Sequence, residues 1–456
     1  MIISNGDSRV IKTTSYPEPR SGFQIDVVAA LTFYVFIVMA IPSRLVFAPL
    51  GAEGGPASVL AVLFMGWYLI IRVHPAFDIG ADRQPIRTAA ALFLCSILVS
   101  FIAANLNPLS DMAQDGVERG IIEAVGLVGV LLIAGDGISS NDRLVALLGR
   151  IVIGTSAISG LAVIEFFSGI DFTKYIAIPG LISGPVITDL TVRGGLNRPA
   201  ATTASPLELV AVLAMVLPLA IHRARFAKGD SWRIRWLQVG VIGAGLLVTL
   251  SRTAVVGLLI MAAVLLPTWP KTQRRYAYAV LVGSIVMVYL ALPKVLSVFI
   301  TILEQIATGS SSTQSRTNAL SAALPVIIQH PWFGTGFGDF FPQIYFFTDD
   351  EYLNSLLSSG LTGFLALVIL FISGWLVARC LRRRSNNPAI RDLAQALAAA
   401  IAVSSGCFAT FDVLSFSTAS GLTFLLLGCI AALWRLNSNS DIPAKGRAAG
   451  PRVTPT

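Results

Sequence analysis

The chain has 456 residues, 55% hydrophobic and only 13% charged, with 33 Lys and Arg against 25 Asp and Glu. A soluble domain carries about twice that share of charge, so composition excludes an ordinary globular enzyme, and a mean hydropathy of +0.75 points to a membrane. The positive excess forms no basic stripe interleaved with aromatics, which excludes a nucleic-acid binder.

In chain order, residues 1–24 are polar, lack an apolar core or cleavage site, and read as a cytoplasmic tail and not as a signal peptide. Apolar blocks of about 17 to 25 residues follow, the length that crosses ~30 Å of hydrocarbon as a helix. Twelve of them begin near Ile25, Ala57, Thr88, Gly120, Val145, Pro206, Gln238, Ala254, Tyr276, Tyr352, Leu393 and Thr418. The expected fold is an all-α polytopic membrane protein with about 12 transmembrane helices over 25–435. The tail 436–456 is expected to be cytoplasmic and disordered. No internal repeat occurs at a fixed period.

Basic residues orient such a chain. With both termini cytoplasmic, the inward segments hold 25 of the 33 Lys and Arg, among them "HRARFAKGDSWRIRW" and "RCLRRRSNNPAIR". The outward ones hold Arg44, Arg119, Lys174, Arg193, Arg198, Arg252, Lys294 and Arg316. Two long connections, 169–205 and 293–351, then fall on the outer side, where binding and catalysis are expected. His74 and His222 fall inside and are expected to be solvated. Cys95, Cys380, Cys407 and Cys429 lack CxxC spacing and read as buried thiols, with no redox or metal site implied.

The second long connection carries "QSRTNALSAALPVIIQHPWFG". Ser315 is a suitable N-cap, Leu320, Leu324, Ile327 and Ile328 recur at helical spacing, and His330-Pro331 ends the pattern. A short amphipathic helix is expected there. "GTGFGDF" follows without the strand and helix of a dinucleotide site. Gly334, Gly336 and Gly338 are therefore expected to permit turns and close backbone approach.

Some polar residues need an explanation beyond topology. Ser251-Arg252 marks a very tight hairpin in "LLVTLSRTAVVGLLI". Its arginine either snorkels at a helix end or offers a planar fork to a phosphate. Arg193 and Arg198, in "VRGGLNRPAATTASPLELV", belong either to a solvated loop or to the same anion site. Arg316, where a cation opposes the helix dipole, suits a partner. Asp349, Asp350 and Glu351 stand at a helix start, where one acid serves the dipole; three in a row exceed that need and supply a candidate general base. Glu165, Glu208 and Asp412 also sit near outer helix ends.

"SRTNALSAALPVIIQHPWFGTGFGDF" resembles the segment shared by O-antigen ligases and Wzy-type polysaccharide polymerases, through Ser315, Arg316, Pro331, Gly334 and Gly336. "SRTAVVG" is similar to that family's Ser-Arg turn, and the loop with Arg193 and Arg198 looks like the arginine-bearing loop before it. The likeness spans about 190 to 365. Ligases of the family carry His-Asn nine residues before Gly-x-x-Gly; counting back from Gly360 in "GLTG" lands on Asp349 and Asp350, so the position is kept and the histidine is not. The resemblance implies a multi-pass enzyme of the bacterial plasma membrane, both termini cytoplasmic, acting at the outer face.

The implied activity is an exopolysaccharide or O-antigen polymerase, an inverting glycosyltransferase without metal or other cofactor. Its donor would be a glycan on undecaprenyl pyrophosphate. Arg252 and Asp349 or Asp350 would be catalytic, with Arg193, Arg198, Arg316, His330 and Glu351 on the substrate. Implied partners are membrane lipid, a chain-length regulator and export machinery. Ligation of finished polymer to a lipid acceptor is the alternative. A twelve-helix transporter is another, through a faint likeness of "DIGADRQPIRT" to an inner-loop motif.

Overall fold

A computed structural model of the chain describes residues 26–48, 54–73, 84–106, 108–184, 191–227, 231–308, 311–339, 348 and 350–438. These residues are overwhelmingly helical. The helices are α1 (Val27–Ala40), α2 (Pro56–Val73), α3 (Pro85–Asn105), α4 (Asp111–Gly137), α5 (Asn141–Ser168), α6 (Pro206–Phe226) and α7 (Trp232–Val248). They continue as α8 (Arg252–Leu265), α9 (Lys271–Ala291), α10 (Pro293–Thr308), α11 (Ser311–Gln329), α12 (Glu351–Arg384), α13 (Pro388–Phe408) and α14 (Ser417–Ser438). Each expected apolar block falls on a helix, and α10 and α11 lie within the long second connection.

Local chemistry sets the helix starts. Ser110, Ser140, Ser205, Ser231, Asn387 and Asp350 each accept from a backbone N–H of the first turn. Proline opens α3, α6 and α13, where its missing N–H costs nothing. α11 begins at Ser311, four residues before the expected cap, and ends at Gln329 as the His330-Pro331 pair predicts.

Six helices, α2, α3, α5, α6, α12 and α14, are long and apolar enough to cross a membrane, and the bent α9–α10 pair would make a seventh. The chain is thus a multi-pass, all-α membrane protein. α1 and α8 are apolar but only 14 residues long, ~21 Å as helix. α6 and α14 are buried almost throughout, as Leu209–Val216 and Thr418–Leu433 show, and form the centre of the bundle. Leu365, Ile369, Ile372 and Leu376 on α12 instead form an exposed apolar stripe, the signature of a lipid-facing side.

α12 has 34 residues, ~51 Å of helix against ~30 Å of hydrocarbon. Gly360, at φ 65 and ψ −167, breaks it, so residues 361–384 form one length and 351–359 a separate half-helix.

The connections sort to two ends. At one end, Asp26 pairs with Arg143, Arg225 with Asp392, and the Asn141 and Asn437 amides with each other. His222, expected in solvent, is buried there with Nδ1 2.7 Å from Asp392, because α6 packs its last turns against α13. Cys407 and Cys429 are buried as expected, whereas Cys95 is exposed on an outer helix face. The opposite end gathers two antiparallel ribbons and the turns before α6, α8, α12 and α14. There β1 (Leu45–Phe47) pairs with β2 (Leu181–Ser183), and β3 (Thr191–Arg193) with β4 (Leu196–Arg198).

Candidate functional site

The β3–β4 hairpin turns through Gly194 and Gly195, both at positive φ (61 and 74), which suits a two-residue primed turn. Arg193 lies opposite Leu196 and Arg198 opposite Thr191. Residues alternate across a strand pair, so both arginines share one face. That face meets the end of α7. Arg198 Nε donates to the Thr249 carbonyl at 2.9 Å and Arg193 Nη1 to the Leu250 carbonyl at 3.0 Å. These carbonyls carry the negative end of the α7 dipole, a natural seat for cations. Leu250 stands at φ 48, and Ser251 caps α8 by accepting from Thr253 N. The Ser-Arg hairpin is therefore as tight as its sequence requires.

Arg252, the first residue of α8, comes close enough to Arg193 for their charges to repel. Burial, and then Arg252, lower the pKa of Arg193. Burial, and then Arg193, bring Arg198 down to about 10. Three guanidiniums thus crowd one turn, and two of them are harder to keep charged than in water. An anion among them would relieve both effects.

The hairpin is fixed from behind. Asn197 Nδ2 donates to the Phe166 carbonyl at 3.1 Å, and Glu165 accepts from Ala201 N at 3.0 Å. Glu208 is fully buried: one oxygen takes Ala204 N at 2.7 Å, the other Thr418 N at 2.8 Å and Ala419 N at 3.2 Å. One carboxylate therefore caps α14 and clasps the loop before α6. The Ser205-x-x-Glu208 spacing signals a capping box, but its reach to α14 follows only from the fold.

The connector 409–416 joins this turn to the start of α12. Thr253 Oγ1 donates to Thr410 Oγ1 at 3.2 Å, and Glu351 accepts from Leu414 N at 2.9 Å and from Ser355 Oγ at 3.2 Å. Asp350 accepts from Tyr352 N at 2.9 Å as the cap of the half-helix. Arg252 and Asp350 are thus each one residue from a group tied to the same connector. Glu351 is fully buried with both oxygens engaged by the chain. Asp349 lies outside the described residues, as does the side chain of Arg316 on α11.

Around the break at Gly360, loop and half-helix exchange hydrogen bonds. Thr335 N and Gly336 N donate to the Leu357 and Ser358 carbonyls at 3.1 and 2.8 Å; Leu361 N and Thr362 N donate to those of Pro331 and Trp332 at 2.9 and 3.2 Å. The loop takes up the backbone groups that the broken helix leaves unpaired. A Cβ on Gly334 would stand 2.4 Å from the Ser358 carbonyl carbon, so the close approach expected of these glycines is realised.

His330 is exposed and lines a groove of about 560 Å³ with Trp332, Phe333 and Asp339, none of the three arginines being among its lining residues. Burial raises the pKa of Asp339. Nothing in the composition of "GFGD" singles that carboxylate out.

Residues 237–368 match the family model described as O-antigen ligase. A search of curated proteins returns no match. The matched span runs from α7 across Arg252, Arg316, His330 and Gly360 into α12, and leaves the β3–β4 hairpin outside. The similarity to the O-antigen ligase family is thus carried by residues 237–368.

Proposed function

We propose that the chain is a polysaccharide polymerase that transfers a growing glycan from a lipid pyrophosphate to a sugar hydroxyl of the next lipid-linked repeat. The observation that carries this reading is the convergence of Arg193, Arg198 and Arg252 at one turn, tied through the 409–416 connector to the carboxylate-bearing start of α12. The guanidiniums suit a pyrophosphate and the negative charge that grows on it as it leaves. In the transfer, the C1–O bond to pyrophosphate breaks as the acceptor oxygen bonds to C1. The acceptor proton passes to Asp350 or Asp349, and a single displacement inverts C1. Glu351 holds the half-helix in place and positions Asp350. Twelve crossings with both termini in the cytoplasm fit the same reading, because they put this end of the bundle outside the plasma membrane. A chain-length regulator and export machinery would meet the enzyme on that side.

The family description favours ligation as a second reading. The acids at 349 and 350, in place of the ligases' His-Asn, favour polymerisation. Replacing Arg252 by Ala in a stably expressed chain should abolish polymer and leave single lipid-linked repeats on the outer leaflet. Long lipid-linked polymers without a final acceptor would make it a ligase, and repeats trapped on the inner leaflet would make it a transporter. Normal polymer would remove the arginine site altogether.

A further inference from the structure

We propose that the groove between the end of α3 and the 329–339 loop is a glycan subsite, in which a sugar ring lies on Trp332 and Phe333 while Asp339 accepts from its hydroxyls. The volume, about 560 Å³, falls in the ~300–1,000 Å³ range of small-ligand sites, which are apolar with a few convergent polar groups. Trp332 and Phe333 are 61% and 41% exposed, large rings turned outward. Their backbone is nonetheless held: the Trp332 carbonyl accepts from both N and Oγ1 of Thr362. Rings presented on a fixed backbone lose little freedom on binding.

Asp339 supplies the second, independent observation. It is 7% exposed, its N–H donates to the Gly336 carbonyl at 3.0 Å, and the Thr335 hydroxyl donates to its carboxylate. Its Oδ1 is buried and has no partner among the described residues. A buried acceptor left unmade costs ~1–3 kcal/mol, and a ligand hydroxyl reaching into the groove would satisfy it. The chemistry selects the ligand class. A carboxylate repels a phosphate and is a poor neighbour for an acyl chain, whereas a sugar offers an apolar ring face and hydroxyl donors together.

The identity of the sugar rests on the glycan-transfer reading, under which this groove holds glycan remote from the pyrophosphate. The test uses the full chain in lipid nanodiscs and saturation-transfer NMR. The probe is the set of oligosaccharides released by partial acid hydrolysis from the host's own surface polysaccharide, stripped of lipid and phosphate. The wild type should bind. Trp332→Ala and Asp339→Ala should each weaken binding at least ~10-fold, ~1.4 kcal/mol, with Trp332→Phe retaining it and Arg252→Ala leaving it unchanged. The exposed Trp332 side chain can be truncated without opening the core, so its variant reads binding and not folding. Unchanged binding in Trp332→Ala and Asp339→Ala, or none by the wild type, would overturn the subsite. Loss of polymer in Arg252→Ala without any oligosaccharide binding would leave the transfer reading standing and the subsite refuted. Binding lost in Trp332→Ala alongside normal polymer in Arg252→Ala would do the reverse.

Discussion

Gly360→Ala tests the architecture most directly, because two separate costs fall on one methyl group. At φ 65 and ψ −167 the backbone lies in a region essentially reserved for glycine, and forcing alanine there costs ~1–3 kcal/mol. The added Cβ would also stand 2.4 Å from the Trp332 carbonyl carbon and 2.5 Å from Phe333 N. Those are backbone atoms, so the loop must withdraw or residues 359–362 must wind into regular helix. Either way the four backbone bonds linking 331–336 to 357–362 are lost, at ~1 kcal/mol net each. The local penalty is ~5 kcal/mol, which raises the open population of the loop by more than ~1,000-fold. Hydrogen exchange read by mass spectrometry should show it as fast exchange across 331–339 and 357–363. The hairpin at 191–198 should keep its protection. Gly283→Ala is the control: it lies within α9, and an added Cβ meets nothing within 4 Å, so it should cost nothing. Unaltered protection of 331–339 in Gly360→Ala would show that the loop is not held by the break.

Glu208→Ala should lower the thermal midpoint of the purified protein more than any single arginine change at the site. Three backbone donors lose their acceptor, each worth ~1–3 kcal/mol when buried; a midpoint unchanged by fluorescence-detected unfolding would refute the clasp. For the arginines the pH sign is fixed by their shifts. Under the proposed function Arg198 would bind an anion only while protonated, so competition by inorganic pyrophosphate should be level through neutral pH and fall by half near pH 10. An ordinary guanidinium is still fully charged there. Bound anion must raise that pKa again, so the midpoint should climb with pyrophosphate concentration, and a level profile through pH 11 would refute the shift.

Much of the bundle was legible because length and apolarity suffice to mark helices. Blocks such as Pro206–Phe226 and Ser417–Ser438 are apolar on every side, and that is what burial at the centre demands. The tight turn at Ser251-Arg252 was legible for the same reason, since so few residues separate two apolar runs. His222 was misjudged because its position near a basic inner segment says nothing of Asp392, which lies far along the chain and reaches it only through α6–α13 packing. Glu208 was partly legible, through its capping box. Its hold on α14 depends on a partner 210 residues away. Asp339 gave no signal at all, because a carboxylate beside glycines looks like any loop residue until its burial is known.

The half-helix 351–359 gives these scattered parts a common geometry. Its first turn is tied by Glu351 to the connector that also holds the turn beginning α8, and its last turn offers the Leu357 and Ser358 carbonyls to the 331–336 loop. The six to seven residues of helix from Glu351 to Leu357 and Ser358 set ~10 Å between those two attachments. A continuous helix could not do this, because its last carbonyls would be consumed by its own next turn and the loop would have nothing to dock on. The break at Gly360 thus exposes backbone groups that the loop then satisfies. One short rigid rod consequently sets the spacing between the end of the bundle where three arginines crowd a turn and the groove where Asp339 waits for a donor. A ligand with phosphate at one end and sugar at the other has the chemistry to engage both.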